Sequence, residues 1–275
     1  MDSATSEKSI IALDSWLQTP AGAYVRAWEQ RLLDELTADI FGFNALQIGT
    51  PQIDALAASR MPNKWLADTR LQRGTPPATA RTAALAFDAG ELPFASQSLD
   101  LVVLPHVLEF AAEPHQVLRE VERVLIPEGQ LIICGFNPAS LWGLRQVTAR
   151  LTGAHYLPEA GELISMPRIK DWLKLLNMGV SHSHFGCYAP ACRTEHWLAR
   201  YAFMDRAGTR WWPYFGAVYL VQAIKRVKGM RLIGPAWSKK SAKAPVAVPA
   251  ANKHEEPVAR GTISVLESQK SSDAK

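Results

Sequence analysis

The feature that most constrains the fold is a strand, helix, strand pattern in the middle of the chain. The segment "LDLVVLPHVLEF", residues 99–110, has an apolar core at residues 99 and 101–104 that is typical of a strand buried on both faces. The next segment, "EPHQVLREVERVL", places Val117, Val121 and Val124 on one helical face, and "QLIICGF" is a second buried strand. Two strands joined by a helix in this way form a parallel crossover unit, so the pattern predicts an α/β sheet.

The remaining segments extend this sheet on both sides. Before it, "ALQI" is predicted to be a strand that ends at Gly49, and Gln52 to Ser59 a helix opened by Pro51; "KWLAD" and "AALAFD" are predicted strands. After it, "PRIKDWLKLLNMG" predicts an amphipathic helix between the central unit and the strand "VSHSHFGCY", with which the last strand, "GAVYLVQAIKRV", pairs antiparallel. The predicted fold is a doubly wound, mostly parallel seven-stranded sheet with a C-terminal antiparallel hairpin.

The 275-residue chain is long enough for one large domain with appendages. We predict an N-terminal helical extension over residues 1–40 and an α/β domain over 41–235 with an insertion at about 189–214. Residues 236–275 are rich in Lys, Ala, Pro and Ser and lack apolar periodicity, so they are predicted to be a disordered tail. The sequence does not decide whether the N-terminal helices are a lid over a ligand or a cover for the sheet.

Composition limits the setting in which the chain acts. Its formal charge of +4 permits an anionic partner without requiring one. Three cysteines in a chain of this length favour a reducing compartment, and the N-terminal sequence is not typical of a signal peptide. No run approaches the roughly 20 apolar residues that a membrane-spanning helix needs. We therefore expect a cytoplasmic protein without stable membrane insertion.

A longer stretch carries a family resemblance. The segment "DAGELPFASQSLDLVVLPHVLEFAAEPHQVLREVERVLIPEGQLIICGFNP" resembles the class I S-adenosylmethionine-dependent methyltransferases of the small-molecule-like type 11 group. The resemblance spans about residues 41–153 and resumes at the last two strands. It implies a Rossmann-like methyltransferase fold, S-adenosyl-L-methionine as cofactor, and methyl transfer to an unknown acceptor. A small-molecule acceptor is expected, with RNA and protein acceptors left open.

The resemblance also assigns positions in the first half of the sheet. The family has an acidic residue and a glycine-rich turn after the first strand; the aligned positions here include Gln47, Pro51 and Ile53, and only Gly49 is kept. This sequence therefore lacks a carboxylate for the cofactor's ammonium group and most of the close backbone approach. Asp68, at the end of "KWLAD", aligns with the acidic residue that binds the two ribose hydroxyls; a turn-capping Asp is the alternative.

Five further positions lie at the ends of the third and fourth strands. Asp88 and Ala89 match the family's adenine site, in which a carboxylate and a backbone N–H meet the base. Leu104 and Pro105 are expected at the strand ends, facing the cofactor's sulfonium. His106 is a candidate general base for the acceptor, because a neutral imidazole accepts a proton near pH 7. A packing role for His106 is the alternative, since methyl transfer to a nucleophilic atom depends more on positioning than on a base.

Two other groups of residues are candidates for binding. One candidate is a zinc site formed by His182, His184, Cys187, Cys192 and His196. This series contains no tightly spaced ligand pair, and we predict no metal. The segment "RAGTRWWPYF" combines basic and aromatic residues, as surfaces for single-stranded nucleic acid and membrane-interface anchors do; a cap over the substrate cleft is the preferred interpretation. The alternative to an enzyme is a catalytically inactive protein of the same fold that binds a partner or RNA through this segment.

Overall fold

A seven-stranded sheet forms the centre of the protein. The structure is a computed structural model that describes residues 13–68, 85–152, 156–158, 161–192 and 194–226, all within one compact unit that ends at Gly229. The strands are β1 Asn44–Ile48, β2 Asn63–Asp68, β3 Leu85–Ala86, β4 Leu99–Pro105, β5 Leu125–Phe136, β6 Met178–Gly186 and β7 Val218–Lys225.

The strand order is β3-β2-β1-β4-β5-β7-β6. Strands β1 to β5 pair in parallel, whereas β7 lies antiparallel to both β5 and β6. The predicted fold class is confirmed, including the antiparallel pair at the C-terminal side. Strands β1 to β6 therefore all end at one edge of the sheet, where β7 begins. We call this the carboxyl edge, and it is the edge at which doubly wound sheets bind ligands.

Helices cover both faces of the sheet. They are α1 Pro20–Ala38, α2 Pro114–Val124, α3 Leu141–Thr152, α4 Met166–Leu175, α5 Glu195–Arg200, α6 Phe203–Trp211 and a 3₁₀ helix at Pro213–Phe215; residues 13–16 are also helical. None of the helices in the described ranges is both long enough and apolar enough to cross a membrane.

The two faces of β4 show how the core is divided. Leu101 and Val103 pack in one cluster with Leu33 of α1, while Val102 and Leu104 pack in another with residues of α2 and α4. This alternation is the period-two pattern of a strand buried on both faces. A third cluster joins residues at the ends of β5, β6 and β7 to the N-terminal helices and α3, and its members include Leu17, Trp142, Phe136, Cys187 and Val218.

One predicted helix is wrong. Residues 52–59 form successive turns rather than a helix after β1. Thr50 has a left-handed backbone with φ of 46°, and the side chain of Gln47 hydrogen-bonds to several backbone groups of the loop, which replaces the hydrogen bonds of a helix. The predicted insertion contains α5, α6 and the 3₁₀ helix. The segment 69–82 and the predicted tail lie outside the described residues.

Candidate cofactor and acceptor site

The turn after β1 is tied to the end of β4. Gly49 has φ of 76°, which favours glycine, and a Cβ placed there would lie 3.0 Å from Cγ2 of Val107. The next residue, Thr50, is buried and donates its hydroxyl hydrogen to the carbonyl oxygen of Pro105 at 2.8 Å. The side chain of Val107 therefore occupies the space that glycine leaves free at position 49. The hydrogen bond of Thr50 joins the turn to the end of β4.

Gln47 holds the rest of that turn in place. Its Nε2 donates to the carbonyl oxygens of Gly49 and Thr50, each at 3.2 Å, and of Ile53 at 2.7 Å. Its Oε1 accepts from the N–H of Ala55 at 2.9 Å, and the side chain is fully buried. Both polar atoms of Gln47 are therefore engaged by the loop. Sequence reasoning identified the missing carboxylate at this position but not this structural role.

The predicted adenosine residues lie at the ends of the next two strands. Asp68 is the last residue of β2 and is buried, and its backbone pairs with Ala86 at the end of β3. Asp88 follows two residues later with an exposed carboxylate, whose Oδ1 accepts from the N–H of Gly90 at 2.9 Å. The N–H of Ala89 donates to none of the described residues. These positions share the carboxyl edge with Gly49, Leu104 and Pro105.

The residues at the carboxyl edge suit the adenosine end and the methionine end of the expected cofactor to different degrees. At the adenosine end, two carboxylates and a backbone N–H stand at neighbouring strand ends, which is the donor and acceptor set that ribose hydroxyls and an adenine edge require. At the methionine end, the turn has no carboxylate and is closed by its own hydrogen bonds. The residues of this chain therefore fit the adenosine half of the cofactor better than its methionine half.

A buried group of three charged side chains lies at the end of β4. Nε2 of His106 is 2.9 Å from Oε1 of Glu29, and Nδ1 is 2.9 Å from Oε2 of Glu109. The ring of His106 packs against Phe136 at the end of β5, with ring centroids 4.3 Å apart. Glu109 also accepts a hydrogen bond from the N–H of Phe136. We call Glu29, His106 and Glu109 the buried triad; it joins α1, the β4 end and the β5 end.

The surroundings of His106 decide its protonation. Burial disfavours charge on the ring, but the carboxylates of Glu29 and Glu109 outweigh burial and raise the pKa of His106 to about 10. Burial raises the pKa of the Glu109 carboxyl. His106 is thus protonated at neutral pH, and both its nitrogens face carboxylate oxygens, so no ring lone pair can accept a proton. The geometry therefore speaks against the predicted role of His106 as a general base.

Glu29 is the member of the triad that sequence reasoning missed. It is fully buried, and its Oε2 has no hydrogen-bond partner among the described residues. A signal was present: Val25, Glu29 and Leu33 recur every four residues on the buried face of α1, and a carboxylate in an apolar stripe is costly without a partner. His106 also has an uncommon backbone conformation, with φ of 55°.

An apolar groove opens at the same edge of the sheet, beyond the end of β5. It has a volume of about 500 Å³ and begins two residues after the end of β5. Its lining comes from α3 and the residues before it, from Tyr188 after β6, and from α6, the 3₁₀ helix and the residue between them. The other lining residues are Pro138, Ala139, Ser140, Leu141, Leu144, Val147, Met204, Trp212 and Phe215. The groove thus starts beyond the carboxyl end of β5, the strand that pairs with β4, and its lining residues come from the segments after β5 and β6.

The histidines and cysteines considered for zinc lie apart from this site or serve other contacts. Nδ1 of His182 is 3.2 Å from Oε1 of Gln222, and the rings of His182 and His184 lie parallel with centroids 6.3 Å apart. Cys187 is buried in the third core cluster. Within the described ranges, no three His, Cys, Asp or Glu side chains form a group that could hold a metal ion.

Comparisons with known proteins agree with the fold. A family described as a methyltransferase domain matches residues 63–133. The uncharacterized protein YafS of Escherichia coli K12 is 33% identical over 187 residues, which cover 66% of this chain and 72% of YafS. The malonyl-[acyl-carrier protein] O-methyltransferase of Laribacter hongkongensis is 32% identical over 142 residues, which cover 48% of this chain and 46% of that protein.

A solved structure gives the same result for the fold. The S-adenosylmethionine-dependent methyltransferase from Archaeoglobus fulgidus superimposes with a TM-score of 0.51 at 15% identity, over 73% of this chain and 94% of that one. Family match, relatives and sheet order are consistent with each other. The chain belongs to the class I S-adenosylmethionine-dependent methyltransferases, enzymes whose cofactor is S-adenosylmethionine.

Proposed function

We propose that the enzyme methylates a small, apolar molecule that binds in the groove beside β5. The observation that carries this proposal is the groove itself, which is lined almost entirely by apolar side chains and begins two residues after β5, the neighbour of β4, on the ligand-binding edge. Tyr188 and Ser140 supply the polar groups of its lining. A pocket of this composition suits an acceptor with an apolar body and one nucleophilic atom.

The cofactor residues of this proposal lie on the other side of β4. Asp68 is assigned to the ribose hydroxyls and Asp88 with Ala89 to the adenine, while Gly49, Leu104 and Pro105 form the floor between them. When bound, the cofactor supplies an electrophilic methyl group. The chain's own residues then bind the two reactants, orient them and keep water from the strand ends.

The buried triad fits a positioning role in this proposal. Because His106 donates from both nitrogens, it fixes Glu29 of α1 and Glu109 relative to each other and to Phe136. Phe136 ends the strand that leads into the groove. The triad therefore sets the distance between the β4 end and the groove, and a nucleophilic acceptor atom needs no base from His106.

The class of acceptor is tested by following the methyl group. The purified enzyme is incubated with methyl-labelled S-adenosylmethionine and, separately, with an organic-solvent extract, an aqueous small-molecule extract, total RNA and total protein of a bacterial cell. We expect label to enter the organic-solvent extract. Label in RNA or protein alone would overturn the apolar small-molecule assignment.

Two variants separate the cofactor site from the groove. Asp88→Ala should reduce labelling by weakening cofactor binding, whereas Ala139→Trp, which fills the groove, should reduce labelling about tenfold or more with unchanged cofactor binding. Thermal melting confirms that each variant is folded. Unchanged labelling by Ala139→Trp would remove the groove from the proposal.

A further inference from the structure

One face of the protein exposes an unusual number of large apolar side chains. Leu141, Leu144 and Val147 recur every three residues on the outer side of α3, and Leu144 is 62% exposed. On α6, Phe203 and Trp211 are 64% and 75% exposed. The 3₁₀ helix and the residue before it complete what we call the apolar face, whose further members are Trp212, Tyr214 and Phe215. Exposed apolar surface of this extent marks an interaction site.

Most of the apolar face lies along one groove. The groove beside β5 is lined by Leu144 of α3, Met204 of α6 and Phe215 of the 3₁₀ helix, so the three elements meet along it. Five members of the face line this opening together, unlike the scattered exposed apolar residues that are ordinary on protein surfaces. Phe203 and Trp211 are each next in the chain to a lining residue of the groove, Met204 and Trp212.

The elements that carry the face are firmly attached to the sheet. Nδ2 of Asn137 donates to the carbonyl oxygens of Tyr214 and Gly216, both at 2.9 Å. Asp205 of α6 accepts from the hydroxyl of Tyr24 at 2.5 Å and from the N–H of Tyr188 at 3.0 Å. These hydrogen bonds fix α6 and the 3₁₀ helix against the rest of the domain. Their apolar side chains are therefore exposed in the folded protein.

The charges on the same elements are mainly positive. Arg206 and Arg210 of α6, and Arg200 at the end of the preceding helix α5, are exposed, and none of the three has an ion-pair partner among the described residues. Asp205 is engaged by Tyr24 and Tyr188, which leaves Glu195 as the exposed carboxylate on α5 and α6. Unpaired arginines beside aromatic and aliphatic side chains are complementary to anionic headgroups above an apolar layer.

We propose that the apolar face docks on the surface of an anionic lipid bilayer, with the groove opening toward the lipid. Trp and Tyr side chains suit the interface between headgroups and acyl chains because one part of each ring is polar. The aliphatic row on α3 reaches the acyl boundary, while the arginines contact headgroup phosphates. This is binding in the plane of the interface, without a membrane-spanning segment.

Two other occupants fit the face less well. Single-stranded RNA would stack on the aromatic residues but would leave Leu141, Leu144 and Val147 exposed to water. A second copy joined by a two-fold axis would bring the same three arginines to both sides of the interface, with Glu195 alone to neutralise them. The bilayer surface satisfies the arginines and the apolar residues together.

The proposal is tested with the full chain and sedimenting vesicles. One set contains phosphatidylcholine with about 30% phosphatidylglycerol, and the other contains phosphatidylcholine alone. We expect saturable binding to the anionic vesicles that weakens when salt is raised from about 0.1 M to about 0.5 M, because exposed charges are screened. The double variant Phe203→Ser with Trp211→Ser should bind the anionic vesicles about tenfold more weakly.

A matched control lies at the opposite edge of the sheet. Leu175 is 79% exposed at the end of α4, next to the start of β6, and Leu175→Ser should leave vesicle binding unchanged. Arg206→Gln with Arg210→Gln should weaken binding to anionic vesicles about fivefold while leaving binding to neutral vesicles unaffected.

Several results would overturn the proposal. These are no binding to anionic vesicles by a folded protein, equal binding by the Phe203 and Trp211 variant, or a stable dimer whose formation that variant abolishes. Binding of a single-stranded RNA oligonucleotide through the same residues, without vesicle binding, would assign the face to RNA. Vesicle binding requires neither cofactor nor acceptor, so its failure is distinguishable from failure of the proposed methyl transfer.

Discussion

The buried triad and the apolar face lie at the same edge of the sheet, yet they reverse the usual distribution of side chains. In the triad, charged groups are buried: Glu29 and His106 are in the interior and are paired through hydrogen bonds. On the apolar face, Trp211 and Leu144 are exposed although the core is their ordinary place. Neither arrangement is what maximal stability would select.

Both arrangements lower the stability of the folded protein. A buried ion pair is weak evidence for stability, because desolvation of both charges offsets their attraction. An exposed aromatic residue forgoes burial worth about 2 kcal/mol. That both costs fall on the carboxyl edge indicates that this edge is shaped for binding. The triad contributes order inside the fold, and the apolar face contributes a contact outside it.

The largest expected effect comes from removing the centre of the triad. His106→Leu leaves two carboxylates buried without their partner, and we expect the free energy of unfolding to fall by about 4 kcal/mol. Urea denaturation measures this change. His196→Leu, at an exposed position of α5, is the control and should change it by less than about 0.5 kcal/mol. A loss under about 1 kcal/mol for His106→Leu would contradict the coupled triad.

Replacing the whole triad separates the effect of charge from that of packing. The triple variant with leucine at Glu29, His106 and Glu109 removes every charge, but it also removes the acceptor of the Phe136 N–H, so it should recover only part of the stability that His106→Leu loses. If the triad positions the groove, this stable variant should still transfer methyl groups more slowly than the wild type. Full activity in the triple variant would reduce the triad to a packing feature.

The second-largest change in stability is expected from the turn after β1. Gln47→Glu introduces the acidic residue that the family has at this position. It also removes the Nε2 donor and places a carboxylate against three carbonyl oxygens. We expect a loss of roughly 3 kcal/mol in the free energy of unfolding and no gain in cofactor affinity. Gln18→Glu, at an exposed position, is the control. Tighter cofactor binding by a stable Gln47→Glu protein would contradict the structural role of Gln47.

The third effect is a pH dependence. The pKa of His106 is raised from 6.5 to about 10, so between these values the folded protein keeps a proton that the unfolded chain releases. Stability is therefore lost as pH rises, and the raised pKa of Glu109 acts in the same direction. Between pH 7 and 9 we expect a decrease of about 1 kcal/mol per pH unit in the wild type relative to the triple leucine variant, measured by urea denaturation. Parallel pH curves for the two proteins would exclude a protonated His106.

The smallest effect concerns the apolar face. Because Phe203 and Trp211 are largely exposed, their joint replacement by Ser should change the free energy of unfolding by less than about 1 kcal/mol, while solubility rises. Denaturant titration and a precipitation assay measure the two quantities. A large loss of stability would mean that these residues pack within the protein and that the face is part of its core.

Much of the fold follows from the sequence because its signals are local. The apolar run at the centre of β4 and the helical period of α2 determine the crossover unit. The last strand is antiparallel because the segment between β6 and β7 begins and ends at the carboxyl edge and does not cross back along the sheet. The turns at residues 52–59 were not predictable in this way, since a side chain of β1 replaces the helix's hydrogen bonds.

The site was only partly predictable for a similar reason. Asp68 and Asp88 were located from strand ends and from family resemblance, both of which can be read along the chain. The partner of His106 comes from α1, 77 residues away, and no local pattern pairs Glu29 with it. The apolar face likewise arises when α3 and α6 meet around one groove, so its continuity is a tertiary property.

The most direct test of the cofactor site is a calorimetric titration of the protein with S-adenosylmethionine and S-adenosylhomocysteine. We expect saturable binding with Kd of about 100 μM or tighter, weakened about tenfold by Asp88→Ala and unchanged by the Phe203 and Trp211 variant. No heat with either ligand from a demonstrably folded protein, or equal binding by Asp88→Ala, would contradict the assignment of the cofactor to the ends of β2 and β3.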